Sequence, residues 1–125
     1  MIRTLPVRAE DLGFVSAGQP EPVMVWEEIG GRRTLTDRQE HDEQGMPLWT
    51  AYLMPTLAER PEVLQVRVAA RQQPVLAQFG PVTLDGLVVN VRKNRNGDLV
   101  QYWEASGVTD AGQGNRREHK QEQAA

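Results

Sequence analysis

The chain has 125 residues, a formal net charge of −3, two histidines and no cysteine. That length holds one domain, the missing cysteine excludes disulfides and thiolate metal sites, and the acidic balance argues against an unselective nucleic-acid binder, which carries a basic excess. No apolar run approaches the ~20 residues that span a bilayer; the opening MIRTLPVRAEDLGF carries acids and a proline without a continuous apolar segment, so it does not read as a secretory signal, and the cytoplasm is the default compartment.

Residues 1–21 hold Pro6, Gly13, Gly18 and Pro20 among few periodic apolar positions, and read as an N-terminal arm with at most a short turn or strand near Leu12–Val15. Val23–Trp26 is a short strand that Gly30-Gly31 breaks or bends. Arg32–Gln39 resumes as strand on Thr34, Leu35 and Thr36. His41–Met46 is a turn by composition. Pro47–Met54 is a strand with Trp49, Ala51 and Leu53 on one face and Leu48, Thr50 and Tyr52 on the other. Thr56–Arg60, between Pro55 and Pro61, is a loop or a single helical turn. Glu62–Ala70 alternates cleanly, with Leu64, Val66 and Val68 inward and Gln65 and Arg67 outward. Val75–Phe79 is a further short segment.

Val82–Val108 reads as one long hairpin and organises the rest. Leu87, Val89 and Val91 alternate with Val88, Asn90 and Arg92. Arg95-Asn96-Gly97-Asp98 carries the Asn-Gly signal for a tight turn in which both central residues take positive φ. Gly86 marks a bulge or sharp bend in the first arm. From Thr109 the composition loses its apolar residues and predicts a disordered tail.

The pattern predicts an all-β domain over residues 22–108, a small five-stranded OB-like barrel with a reduced helix at Pro55–Pro61 and a long closing hairpin, flanked by an arm (1–21) and a tail (109–125). An SH3-like barrel or a small sandwich is the alternative.

Four segments then occur in order: Gly45-Met46-Pro47-Leu48-Trp49, Leu64-Gln65-Val66-Arg67-Val68, Val82-Thr83-Leu84-Asp85-Gly86-Leu87 and Trp103-Glu104-Ala105-Ser106-Gly107-Val108. Together they resemble the small OB-fold, single-stranded-DNA-binding-like proteins of plasmids, phages and integrative conjugative elements from high-GC Gram-positive bacteria. The resemblance spans roughly residues 23–108 and rests on core and turn residues. It implies single-stranded DNA as the partner, in replication or transfer of the element, with protein partners and self-association also open. The tail lacks the concentrated acidic tip of housekeeping relatives, so recruitment by that route does not carry over.

Single-strand binding needs aromatic platforms for bases and cations along the phosphates. Tyr52 and Tyr102 are the outward aromatics, against an equal expectation of packing at the barrel edge. Arg67, Arg92, Lys93 and Arg95 are the strand and hairpin-tip cations. Arg32, Arg33 and Arg38 could extend them, although any one surface arginine is more often a solvated charge. Twelve of the fourteen basic residues are arginine, the cation better suited to phosphate and base stacking. The acidic run Glu40–Glu43 is expected to lie away from such a groove. Trp49 and Trp103 fall on the apolar phase and read as core, while Trp26 is either a core plug or an interface residue. His41 and His119 have no ligand partners at metal spacing, the acids lack a calcium-loop pattern, and no catalytic constellation is visible. The expectation is a protein with no enzymatic activity, metal or cofactor. A small β-domain that binds only proteins is the rival reading.

Overall fold

Two strands with period-two patterning form the centre of the fold. In the computed structural model, described for residues 3–60 and 62–111, β6 (Leu48–Pro55) and β7 (Leu64–Ala69) pair antiparallel, Ala51 opposite Val66 and Leu53 opposite Leu64. Ala51, Leu53, Val66 and Val68 are sealed from solvent, and Thr50, Gln65 and Arg67 take the other face. Strand residues alternate faces, so each apolar residue buried here carries a polar one outward beside it.

The long hairpin forms and is bent. Its outer half pairs β9 (Val88–Lys93) with β10 (Leu99–Ala105), and its base pairs β8 (Val82–Asp85) with β11 (Gly107–Asp110). The bend lies at Gly86, whose φ is +60° and where a Cβ would sit 2.9 Å from Ser106 Oγ. Gly86→Ala should therefore cost about 1–3 kcal/mol, from the left-handed backbone and the clash together. Thermal unfolding of that variant measures it, and an unchanged melting temperature would contradict the bend's role. The tip differs from expectation. Asn94 N donates to Asp98 O, and only Gly97 takes positive φ, so the loop is three residues closed by a glycine bulge rather than a two-residue turn. Asn94 Oδ1 holds it by accepting from the backbone of Asn96 and Asp98.

Among the described residues there are eleven strands, not five, and the main sheet does not close into a barrel. It runs β1 (Arg3–Pro6), β9, β10, β7, β6, β2 (Phe14–Ser16), with β3 (Glu21–Pro22) also on β6. The β7–β10 pair is parallel and the others are antiparallel. β1 and β2 sit at opposite edges yet are consecutive in the chain, separated by a 3₁₀ turn at Ala9–Asp11. From Arg3 on, the segment expected as a loose arm is part of the sheet, and Phe14 and Ser16 are buried. The Ser16 hydroxyl donates to Gly18 O at 2.8 Å, which satisfies it in the core.

No helix forms at 56–60, and Pro61 lies outside the described residues. The core is instead closed by an irregular segment. Leu76, 2% exposed, projects from the stretch between β7 and β8, where Val75–Phe79 forms no strand. The side-chain amide of Gln19 brackets it, donating to Leu76 O and accepting from Leu76 N, and Gln73 Nε2 donates to Pro20 O at 2.6 Å. These bonds satisfy backbone that a helix would satisfy internally. Leu84 and Leu87 complete the cluster.

β4 (Met24–Ile29) and β5 (Arg32–Gln39) form a separate hairpin around Gly30-Gly31, which is a two-residue turn between Ile29 and Arg32 rather than a break. The expected tail boundary moves outward: β11 runs to Asp110, and Ala111 N donates to Pro81 O. Residues 112–125, with His119 and the rest of the predicted disordered tail, lie outside the described residues. No helix among the described residues is long and apolar enough to cross a membrane.

Candidate nucleic-acid interface

The outward face of the main sheet is polar where β6, β7, β10 and β9 lie side by side. Register brings its residues together: Thr50 opposite Arg67, Arg67 opposite Glu104, and Tyr102 opposite Asn90. A groove of about 740 Å³ opens there, lined by Thr50, Gln65, Arg67, Arg92 and Tyr102 among others. The parallel β7–β10 pair makes this possible, because it joins the β6–β7 hairpin to the closing hairpin along one continuous face.

Arg92 and Tyr102 form the groove's best-defined pair. The guanidinium carbon stands 4.3 Å from the ring centroid, and Nη2 donates to the phenol oxygen at 2.9 Å. Such contacts hold a long side chain in one orientation. Tyr102 remains 40% exposed. Asn90 is fixed from the far side, accepting from Thr4 Oγ1 at 2.6 Å.

The other expected residues are distributed differently. Tyr52 lies on the same face, opposite Gln65, but not among the groove-lining residues. It is half-buried, and its hydroxyl donates to Glu21 Oε2 at 3.0 Å. Burial first, and then this bond and the carboxylate's charge, hold its phenol above the usual tyrosine range. Glu21→Gln should move that ionisation part of the way back, leaving the burial contribution, and a spectrophotometric pH titration reads the shift. Lys93 is exposed at the end of β9, and strand alternation turns it from Arg92 to the opposite face. Arg95 is in the tip loop. Neither lines the groove.

The acidic loop does not keep away from the groove. Glu40 Oε2 lies 3.8 Å from Arg67 Nη1. Arg67 pairs through backbone register with β6, and Glu40 donates its N–H to Val23 O and accepts from Leu48 N, so the loop is tied down beside it. Asp42 Oδ1 shapes the turn by accepting from Gln44 N and Met46 N. The face is thus a patchwork, with two arginines against Glu40 and Glu104.

Trp49 is partly buried on the inner face, with Nε1 donating to Ala70 O at 2.8 Å, and Trp103 packs partly buried against the core opposite Val66. Trp26 is no core plug: it is 50% exposed, opposite Leu35, with Arg33 stacked 5.1 Å from its ring centroid. Of the other hairpin arginines, Arg38 is ion-paired with Glu27. His41 Nδ1 hydrogen-bonds with Gln39 O at 2.9 Å. Among the described residues no group of three or more acids and histidines is arranged to hold a metal ion.

Sequence reasoning passed over Thr50, Gln65, Asn90 and Glu104. The signal was available, since each shares the strand phase of Tyr52, Arg67, Arg92 or Tyr102 on its own strand. No known protein family, curated protein or solved structure matches the chain.

Proposed function

We propose that the domain is an OB-like fold that binds single-stranded DNA across the outward face of β6, β7, β10 and β9. The observation that carries this is the convergence of Arg67, Arg92 and Tyr102 in one open groove. Two further features support it. Counted as one interrupted first strand, residues 3–16 precede β6, β7, β9 and β10 in the strand order of an OB fold, including its one parallel pair. In that fold the second and third strands and the loops after the first and fourth take the ligand, which here are β6, β7, the β4–β5 hairpin and the Asn94–Gly97 tip. A role in replication or transfer of a mobile element is what the family resemblance implies, with the cytoplasm as the default compartment.

Mixed charge in the groove limits the phosphate contribution and gives stacking a larger share. A fluorescence-anisotropy titration with a labelled single-stranded oligonucleotide at two salt concentrations separates the two. Arg95→Ala, in the hairpin tip, should weaken all sequences alike and flatten the salt dependence, because each neutralised phosphate on a single strand releases about 0.7 counterions. An unchanged slope would remove the hairpin tip from the binding path.

A second reading has its own observation. The β4–β5 hairpin exposes Trp26, Ile29 and Leu35 at 50%, 58% and 52%. As a protein-interaction module the chain would use that hairpin and bind no nucleic acid. Failure of every oligonucleotide at low salt, with a partner interaction lost in Trp26→Ala, would favour this reading.

A further inference from the structure

Glu104 stands where two recesses meet. It lines the polar groove with Arg67 and Tyr102, and also an adjoining recess of about 570 Å³ floored by Met46, Leu48, Ala69 and Val88. The floor and the groove belong to one face, since Leu48 pairs with Ala69 and Val88 with Glu104 across neighbouring strands. Glu104 is exposed, and among the described residues its carboxylate has neither an ion-pair nor a hydrogen-bond partner. Arg67, its neighbour across the parallel pair, lies instead beside Glu40.

A free carboxylate in a groove for a polyanion needs a physical role. Facing a phosphate it would repel the strand. Ionised, it accepts hydrogen bonds and donates none, so it is favourable only against a donor. The donors on a single strand are on base edges, and carboxylates accept from the cytosine 4-amino group. The apolar floor offers a surface for the base ring, while Arg67 and Arg92 remain for the flanking phosphates. We infer that Glu104 is a specificity-determining residue, accepting from the exocyclic amino group of a base seated on the Met46–Leu48–Ala69–Val88 floor, so that the protein prefers amino-bearing bases to thymine or uracil. The uracil N3–H is flanked by two carbonyl oxygens that oppose an approaching carboxylate. This inference rests on the nucleic-acid reading of the groove.

Oligo-dC and oligo-dU differ only in the 4-amino or 4-keto group and its N3 partner, and make the test direct. Both are titrated against the full chain at low salt and slightly alkaline pH, where cytosine stays unprotonated. The wild type should bind oligo-dC at least about fivefold tighter, the lower end for one good base-edge contact. In Glu104→Gln, whose amide both donates and accepts, the ratio should fall to near one, chiefly through a gain for oligo-dU. Equal affinities in the wild type, or a ratio unchanged in Glu104→Gln at an unchanged melting temperature, would overturn the base preference and leave the groove reading standing. Absence of binding to both oligonucleotides would overturn the two together.

Discussion

Leu53→Ala should lower the unfolding free energy by roughly 2–5 kcal/mol, the range for truncating an enclosed leucine. Leu53 is fully buried on β6, between Leu64 of β7 and Ser16 of β2. Its side chain therefore ties the central hairpin to the edge strand from the N-terminal segment. Shortening it removes apolar contact and leaves a cavity that three paired strands cannot collapse to fill, because their backbones are held by ladder hydrogen bonds. Domains of this kind have about 5–15 kcal/mol in total, so the loss is a large share, on the order of 10 °C or more in Tm. Leu35→Ala provides the contrast. Leu35 is 52% exposed on the β4–β5 hairpin, outside the core cluster, and should shift Tm by a few degrees at most. Comparable losses in the two variants would mean that the hairpin docks on the body and that the described core is incomplete.

The other large effect concerns binding. Replacing Arg67, Arg92 and Tyr102 together by Ala should reduce single-strand affinity by well over an order of magnitude. Loss of one aromatic platform alone costs about 1–3 kcal/mol. Arg92→Ala also frees the tyrosine ring from the guanidinium and phenol contacts that orient it. Arg67→Ala removes a cation and leaves the Glu40 carboxylate unneutralised beside the groove, where it repels phosphate. All three residues are partly exposed on the sheet face opposite the core, and the variant should keep its fold.

The legible parts of this chain were those with local periodicity. Ala51, Leu53, Val66 and Val68 announce their burial by alternation, and the bent hairpin follows from Gly86 and the Asn-Gly tip. β1 was illegible, and β2 showed only as the short turn or strand near Leu12–Val15, because three or four residues are too few to show a period and their partners lie far along the chain, as Phe14 opposite Pro55 does. Leu76 has no strand or helix pattern around it. Its burial depends on Gln19 bonding to its backbone from 57 residues away. The same limit affected the site. Outward phase placed Tyr52, Arg67, Arg92 and Tyr102 on one face, of which the last three line the groove, whereas Glu40 beside Arg67 and Glu21 on Tyr52 are contacts of tertiary register. The acidic loop, read locally as a separate feature, is held beside the groove by its bonds to Val23 and Leu48.

The central claim is that the groove at the β7–β10 junction binds single-stranded DNA. Its most direct test is an anisotropy titration of a mixed-sequence oligonucleotide, long enough to fill the ~16-nucleotide upper site size of one such fold, against the wild type and the Arg67→Ala, Arg92→Ala, Tyr102→Ala variant at low salt. Micromolar or tighter binding by the wild type, lost in a folded variant, is the predicted result. No binding by the wild type, or equal binding by both proteins, would contradict it.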